Sequence, residues 1–376
     1  MAISSEKMST EPEDLQCILC NRCTHVCPQN MVNEKFSPRG LVLQLLLEGS
    51  VEQTDLWQCL TCLSCQDVCP QSTKWVDYVR DARTQARSEE VSFYCKHGNM
   101  LQTLQRMMSH ESLQQDRLAW ADGLQHASEG EYFYFTGCLP YFDNMFPEVD
   151  HTATAKATLK ILNHSGITPV LSNDERCCGY ESLWNGDKQT FQELLKLNLA
   201  AIEKSGATKV VTACAECFQT LSCDYANEVS ELPFEVIHTA ELFAQLLREG
   251  SLDLTVPIAE PITYHDPCRL GRYAKIYDQP RELLQGIPEV QFAEMEKARA
   301  DSLCCGVGNF SNCDANSKFL QHERFLQAKR AGADVMVTAC PKCRIHYSCY
   351  LDGRPLEEIG PIEVKDLSQV LADALD

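Results

Sequence analysis

The 376-residue sequence holds 22 cysteines, and their spacing is its most chemical feature. Residues 177–179 read Cys-Cys-Gly, and residues 304–306 read the same. Adjacent side chains of an extended strand point to opposite faces. Two neighbouring thiols therefore serve one site only where the chain turns between them. A C-x-x-C pair follows each doublet, Cys214/Cys217 and Cys340/Cys343, and one cysteine precedes each, Cys138 and Cys268. Thiolates bind soft metals and enter redox chemistry readily. The opening "MAISSEKMSTEPEDLQ" has no apolar stretch of the kind that directs export. Disulfides are therefore not expected, and metal or redox roles are.

A second group of thiols lies nearer the start. "CILCNRCTHVCP" supplies Cys17, Cys20, Cys23, Cys27 and Pro28, and "CLTCLSCQDVCP" supplies Cys59, Cys62, Cys65, Cys69 and Pro70. Both are C-x2-C-x2-C-x3-C-P, the spacing that holds [4Fe–4S] cubanes, with the fourth cysteine reaching across to the other cluster. The expected sets are Cys17, Cys20, Cys23 and Cys69 for one cubane, and Cys59, Cys62, Cys65 and Cys27 for the other. Zinc is the alternative, since each run also offers four ligands; the doubled run with both prolines favours iron–sulfur. The 31 residues between Cys27 and Cys59 include the helical pattern "PRGLVLQLLLEG", which predicts a mainly helical dicluster domain. His25 reads as a solvated neighbour.

The elements that must position the later cysteines come in two copies. "GATKVVTACAECFQTLSC" (206–223) matches "GADVMVTACPKCRIHYSC" (332–349), and the offsets between equivalent cysteines are 126, 127 and 130 residues. Even spacing over such a length implies a duplicated domain. Each copy alternates strand and helix patterns. In the first, strands are expected at 132–138, 167–172 and 209–214, with helices at 152–166 and 190–206. The latter carries Phe191, Leu194, Leu195, Leu199 and Ile202 on one face, and Gly206 caps it. The second copy repeats this with strands at 262–268, 290–295 and 335–340 and a helix near 318–331. Such alternation predicts a parallel α/β sheet. Cys138, Cys214, Cys268 and Cys340 each close an expected strand, and open parallel sheets bind ligands beyond the carboxyl ends of their strands. Each copy thus gathers five thiols, one more than a cubane or a zinc ion needs: either one is spare or the cluster is not ordinary.

The net charge of −20 argues against general nucleic-acid binding, which needs a basic surface. The longest apolar-rich run, "LVLQLLL" (41–47), is far below the roughly 18–20 residues that span a bilayer. A cytoplasmic protein is expected, without a membrane span of its own, held to a membrane only through a partner. There is no GxGxxG after a strand, no GxxxxGK[ST] and no nucleophile elbow. Electrons must then be exchanged with another subunit: a flavoprotein, a cytochrome or a membrane quinone-linked protein.

C-x38-CCG-x34-CAEC and C-x35-CCG-x33-CPKC, with "FTGC", "ERCCGYESLWNGD", "HDPCRLGR", "YDQPRELL" and "LCCGVGN", resemble the CCG domains of the catalytic subunit of heterodisulfide reductase. That family joins a helical ferredoxin to tandem CCG domains, and the resemblance runs from about residue 10 to 350. It implies an α/β fold with a mainly α ferredoxin domain: a helical dicluster domain (1–90), a helical linker (91–130), and two repeated parallel α/β CCG domains (131–250 and 251–376). It further implies one noncubane [4Fe–4S] cluster on Cys138, Cys177, Cys178, Cys214 and Cys217, and a second on Cys268, Cys304, Cys305, Cys340 and Cys343. All ten positions match. The implied reaction is cleavage of a small disulfide, or oxidation of two thiols, with the cubanes feeding electrons.

Departing thiolates need protons or positive charge. His265, Arg269 and Arg272 flank Cys268, and Lys342 and His346 flank the last C-x-x-C, so these are candidates for acid or charge-stabilising roles; each reads equally well as salt-bridged or solvated. Tyr180 and Glu181 invite the same two readings. Cys223 and Cys349 read as buried structural cysteines, Cys95 and Cys313 as free thiols. An electron relay is the competing function, because iron–sulfur subunits of glycolate, lactate and glycerol-3-phosphate dehydrogenases resemble this layout too. A zinc scaffold is the third, and it predicts a colourless protein.

Overall fold

A computed structural model describes residues 2–4, 16–48, 50–89, 95, 97–147, 149–352 and 357–376. The chain forms two compact units. One comprises Met1–Met107, Gly179–Gln192 and Leu303–Glu323; the other comprises Met108–Cys178, Glu193–Ser302 and Arg324–Asp376.

The second unit holds the sheets of both copies of the repeat. In the first copy, strands Tyr132–Tyr134, Lys209–Thr212 and Glu235–His238 form a parallel sheet in that order. In the second, Gln291–Phe292, Pro261–His265, Val335–Thr338 and Glu363–Asp366 form another, also parallel. Phe133, Val210, Val211, Ile262, Tyr264, Met336 and Val337 are all buried, as expected of strands covered on both faces. The expected strand 167–172 is reduced to a bridge at Val170, which pairs with Phe133 and Ala127. Pro169 has no N–H to add to a ladder. That bridge occupies the edge position that Gln291–Phe292 fills in the second copy, itself only two residues of the expected 290–295.

The helices Thr152–His164, Lys188–Lys204 and Ala315–Arg330 fall where their patterns predict. One position on Lys188–Lys204 differs: Leu199 is half-buried, and Asn198 is fully buried instead. The closing strand and helix of each copy were not expected from the sequence. They are Glu235–His238 with Thr239–Glu249, and Glu363–Asp366 with Leu367–Asp373. Each of these helices starts in a capping box, built on His238 and Glu241 in one and on Asp366 and Gln369 in the other.

The copies pack reciprocally. Thr152–His164 of the first lies on Leu367–Asp373 of the second, joined by Thr158 Oγ1 to Ser368 Oγ at 3.0 Å. Thr239–Glu249 of the first lies on Asp278–Gln285 of the second, joined by the Arg248–Glu282 ion pair. An early helix of each copy meets the last helix of the other, which is an approximate two-fold relation.

The first unit carries the dicluster run on short helices, among them Arg22–His25, Pro28–Val32, Pro38–Glu48, Ser64–Asp67 and Trp75–Ser88. Ala2–Ser4 pairs antiparallel with Ser50–Glu52, a small sheet added to the expected helices. Among the described residues, no helix is long and apolar enough to cross a membrane.

Candidate metal centres

Each cysteine run winds through the same unusual backbone. Leu19 and Asn21 in the first, and Thr61 and Leu63 in the second, adopt positive φ of 58°, 65°, 49° and 69°. Non-glycine residues pay strain for that conformation, so its recurrence at equivalent positions marks a constrained loop. The turns aim amides at sulfur: Leu19 N–H donates to Cys17 Sγ and Thr61 N–H to Cys59 Sγ, both at 3.4 Å. Cys17, Cys20, Cys23, Cys69 and Cys65 line one pocket. Cys27, Cys59, Cys62 and Cys65 line another. The last cysteine of each run is therefore grouped with the first three of the other. Burial pushes the thiol pKa of Cys23, Cys59 and Cys65 up, and Cys27 likewise, with Cys62 and Cys59 as its nearby sulfurs. Cys69 is the exception: burial acts upward, but hydrogen bonding with Thr73 and neighbouring amides brings its thiol below the usual value.

The first five-cysteine set lies wholly within the second unit. Cys138 follows strand Tyr132–Tyr134, Cys214 caps helix Ala215–Gln219, and Cys177 and Cys178 occupy the loop before helix Tyr180–Trp184. The loop turns at Gly179, φ +85°, so both neighbouring thiols can serve one place. Cys138 Sγ lies 2.8 Å from Cys177 Sγ, and Cys217 Sγ lies 3.4 Å from Cys178 Sγ. Cys217 N–H donates to Cys214 Sγ at 3.5 Å. All five are at most 6% exposed. Gly137, φ +61°, makes the approach possible: a Cβ there would stand 2.9 Å from Cys217 Sγ.

Buried polar contacts hold these loops in register. Glu175, two residues before Cys177, accepts from Gly137 N–H at 2.7 Å and pairs with Arg117 at 2.6 Å. Asn198 Nδ2 donates to the Cys177 carbonyl at 3.0 Å, and Tyr225 OH donates to the Cys178 carbonyl at 3.1 Å. Asn198 and Tyr225 were missed from the sequence. A buried Asn on an otherwise apolar helix face was the available signal. The Cys138 thiol is driven well up by its contact with Cys177 and by burial, and Cys217 by its contacts with Cys178 and Cys214. For Cys214 the contact with Cys217 acts downward, while Cys340 and burial raise it well above the usual range.

Lys342 acts on these sulfurs through its charge. Its Nζ lies 2.6 Å from Glu216 Oε2, both side chains nearly buried, and its charge acts on Cys178, Cys138 and Cys177. Burial lowers its pKa. Glu216 and Lys342 occupy the same place in the two C-x-x-C loops.

The second set is divided by the chain partition: Cys304 and Cys305 belong to the first unit, Cys268, Cys340 and Cys343 to the second. Cys268 is half-buried and the other four are buried. His265 is buried, and its Nδ1 accepts from Arg324 Nε at 3.1 Å. Arg272 donates to the Ser302 carbonyl at 2.7 Å, holding the loop that leads to Cys304. Arg269 is buried and stacks over Tyr273 at 4.0 Å, and His346 is buried.

Tyr180 and Glu181 are buried, and Glu181 accepts from Gln105 Nε2 at 2.6 Å. Cys223 and Cys349 correct the reading of buried structural cysteines: both are exposed, on the solvent side of the stretch after each C-x-x-C. Cys95 is buried, and Cys313 Sγ lies 4.0 Å from His97 Nε2. No cysteine among the described residues forms a disulfide.

The domain pattern has a counterpart in known proteins. The cysteine-rich CCG domain matches residues 132–222 and 262–349, and the 4Fe-4S dicluster domain matches 9–70. The chain belongs to the CCG-domain iron–sulfur family, which includes a component of heterodisulfide reductase. It is 34% identical to that component of the dihydromethanophenazine:CoB–CoM heterodisulfide reductase of Methanosarcina barkeri, over 70% of this chain and 63% of that one. It is 27% identical to the probable iron-sulfur-binding oxidoreductase FadF of Bacillus subtilis, over 96% and 59%. It is 29% identical to the EtfAB:quinone oxidoreductase of Syntrophomonas wolfei, over 67% and 35%. The matches span less than two thirds of these relatives' lengths.

Proposed function

We propose that this chain is the iron–sulfur subunit of a heterodisulfide reductase-like complex that reduces a small disulfide or oxidises two thiols. Cys17, Cys20, Cys23 and Cys69 would hold one cubane, and Cys27, Cys59, Cys62 and Cys65 the other. Cys138, Cys177, Cys178, Cys214 and Cys217 would hold one noncubane cluster, and Cys268, Cys304, Cys305, Cys340 and Cys343 the second. The observation that carries the reading is the complete five-sulfur set of the first copy, buried and within contact distance, repeated residue for residue in the second. When bound, such clusters supply single electrons, and two electrons with two protons convert one disulfide into two thiols.

The chain's own residues support that chemistry. The buried Lys342 ammonium offsets negative charge beside Cys138, Cys177 and Cys178. Glu175, Arg117, Asn198 and Tyr225 fix the ligand loops so that little reorganisation accompanies a change of charge. Exposed Ile18, Leu19, Val26 and Met31 accompany the exposed Cys20 on the first run, a surface suited to an electron-transfer partner such as a flavoprotein, cytochrome or quinone-linked subunit.

A second reading, an electron relay that never meets a disulfide, is favoured by the burial of all five sulfurs in the first set. The deciding experiment uses the purified holoprotein. About 16 iron atoms per chain, four clusters of four, are expected. Reduced viologen should then drive turnover of a cognate disulfide, and added thiol should raise a new paramagnetic signal. An iron-replete protein that turns over no disulfide in a broad panel, and shows no thiol-induced signal, is a relay.

A further inference from the structure

Cys313 belongs to neither five-cysteine set. The segments after the two doublets align without a gap, 177–187 on 304–314, and Gly186 stands where the second copy has Cys313. Its thiol is therefore surplus to the repeated ligand pattern. It forms no disulfide and is half-buried, within reach of a small molecule.

The loop that carries Cys313 is fixed from several sides, all within the unit of the dicluster run. Gly308 lies so close to that run that a Cβ would stand 2.8 Å from Leu60 Cα. The Asn309 carbonyl accepts from Asn185 Nδ2 at 3.1 Å. Asn312 Nδ2 donates to the carbonyls of Trp57 at 2.9 Å and Gln58 at 3.2 Å. On the other side of Cys313, Asp314 Oδ1 accepts from the amides of Asn316 and Ser317 at 3.0 and 3.1 Å, where helix Ala315–Arg330 begins. Held in this way, Cys313 Sγ meets the imidazole of His97, 4.0 Å from its Nε2. Phe310 sets that ring from the side, edge-on with centroids 5.8 Å apart. Phe310 does so from a φ of +58°, which is unusual for a bulky residue.

A thiol and an imidazole placed together form a nucleophile–base pair, and such pairs are often loose before a substrate binds. Burial lowers the pKa of His97, and the charge of Lys318 lowers it further. The resting ring is therefore neutral, and its Nε2 is able to accept a proton.

We propose that Cys313 and His97 form a thiol–disulfide exchange site for a small disulfide, separate from both five-cysteine sets. His97 Nε2 takes the Cys313 proton, and the thiolate attacks one sulfur of the disulfide. The original S–S bond breaks as the bond to Cys313 Sγ forms. The second half of the disulfide leaves as a thiolate and takes the proton from His97. The incoming disulfide supplies the oxidising equivalents of the new mixed disulfide, so no further oxidant or reductant takes part. The step uses no cluster, and the inference stands apart from the function proposed above.

The test mixes holoprotein of measured iron content with dithiodipyridine or with oxidised glutathione, and follows modification of each cysteine by peptide mass against time. Cys313 should be modified severalfold faster than Cys223 and Cys349, although both of those are more exposed. His97→Gln should slow Cys313 severalfold and leave Cys223 and Cys349 unchanged. Cys313→Ser should abolish the fast phase of thiopyridone release and keep the iron. Native protein whose Cys313 reacts no faster than Cys223 and Cys349 overturns the proposal without need of a variant. So does a folded, iron-replete His97→Gln protein whose Cys313 reacts at the native rate. Loss of iron from Cys313→Ser also overturns it, since Cys313 is then a cluster ligand.

Discussion

The two copies are one fold used twice, and they are unlike at a point where they meet. Glu216 and Lys342 are equivalent residues, yet they form an ion pair with each other. The cysteines two positions earlier, Cys214 and Cys340, also act on each other. In a true homodimer a residue near the two-fold axis faces itself. Glu would meet Glu, or Lys would meet Lys, in a buried place where like charges are strongly unfavourable. Duplication within one chain removes that constraint. It allows a neutral pair at the centre and leaves a cation beside the first set of sulfurs. The caps of the two closing helices also differ, His238 in one copy and Asp366 in the other.

The largest effect expected from breaking this comparison is loss of a cluster. Cys177→Ala and Cys304→Ala should each remove about four of about sixteen iron atoms, a quarter of the total. Equal losses in the two proteins make the sets equivalent in composition; an unchanged iron content in either marks that cysteine as a spare thiol.

Next come the buried pairs that brace the ligand loops. Arg117→Met leaves Glu175 buried without its cation in the first copy, and Arg281→Met does the same to Asp266 in the second. Breaking such a pair is destabilising by about 3–5 kcal/mol. Both proteins should show clearly lowered thermal midpoints, and chemical denaturation should show the same loss.

The pair between the copies should show coupling rather than raw loss. Glu216→Lys and Lys342→Glu singly place like charges together. The double exchange restores the pair, and the coupling measured in a double-mutant cycle should lie in the range of about 0.5–3 kcal/mol. Additive effects would mean that the two charges do not interact.

The last comparison separates the two caps by pH. Burial raises Asp366 to about 7, above its unfolded value, so the folded state holds the proton longer. Its contribution to stability is greatest below the unfolded pKa near 4 and declines as pH rises to 7. Burial lowers His238 to about 3, so its contribution is present above about 6.5 and declines as pH falls. Each slope is at most about 1.4 kcal/mol per pH unit. Asp366→Asn should remove the first slope and His238→Asn the second, with capping retained in both. Stability curves from pH 4 to 8 that do not separate the two variants contradict this assignment.

Much of the molecule is legible in its sequence. The duplication, the parallel α/β character and the helices Thr152–His164 and Lys188–Lys204 follow from periodicity and glycine stops, which are local. The edge strand at 167–172 was over-read, because an apolar run says nothing of how many ladder partners it finds, and Pro169 removes one. Leu199 and Asn198 were exchanged in burial because a polar residue enters a core only when distant partners satisfy it, here Arg176 N–H, the Cys177 carbonyl and Tyr225 OH. Cys223 and Cys349 looked structural by type, but the helix turned them to solvent.

Residue type and spacing alone settled which thiols are available and how they repeat, since ligand chemistry is a property of short motifs. Three-dimensional packing decided what stands between those thiols. It brought Lys342 of one copy to the sulfurs of the other, set Glu175 and Asn198 behind the doublet, and laid Gly308 on Leu60 within the unit of the dicluster run. These are contacts between residues tens to hundreds of positions apart, fixed by how helices and sheets pack, and no local pattern encodes them.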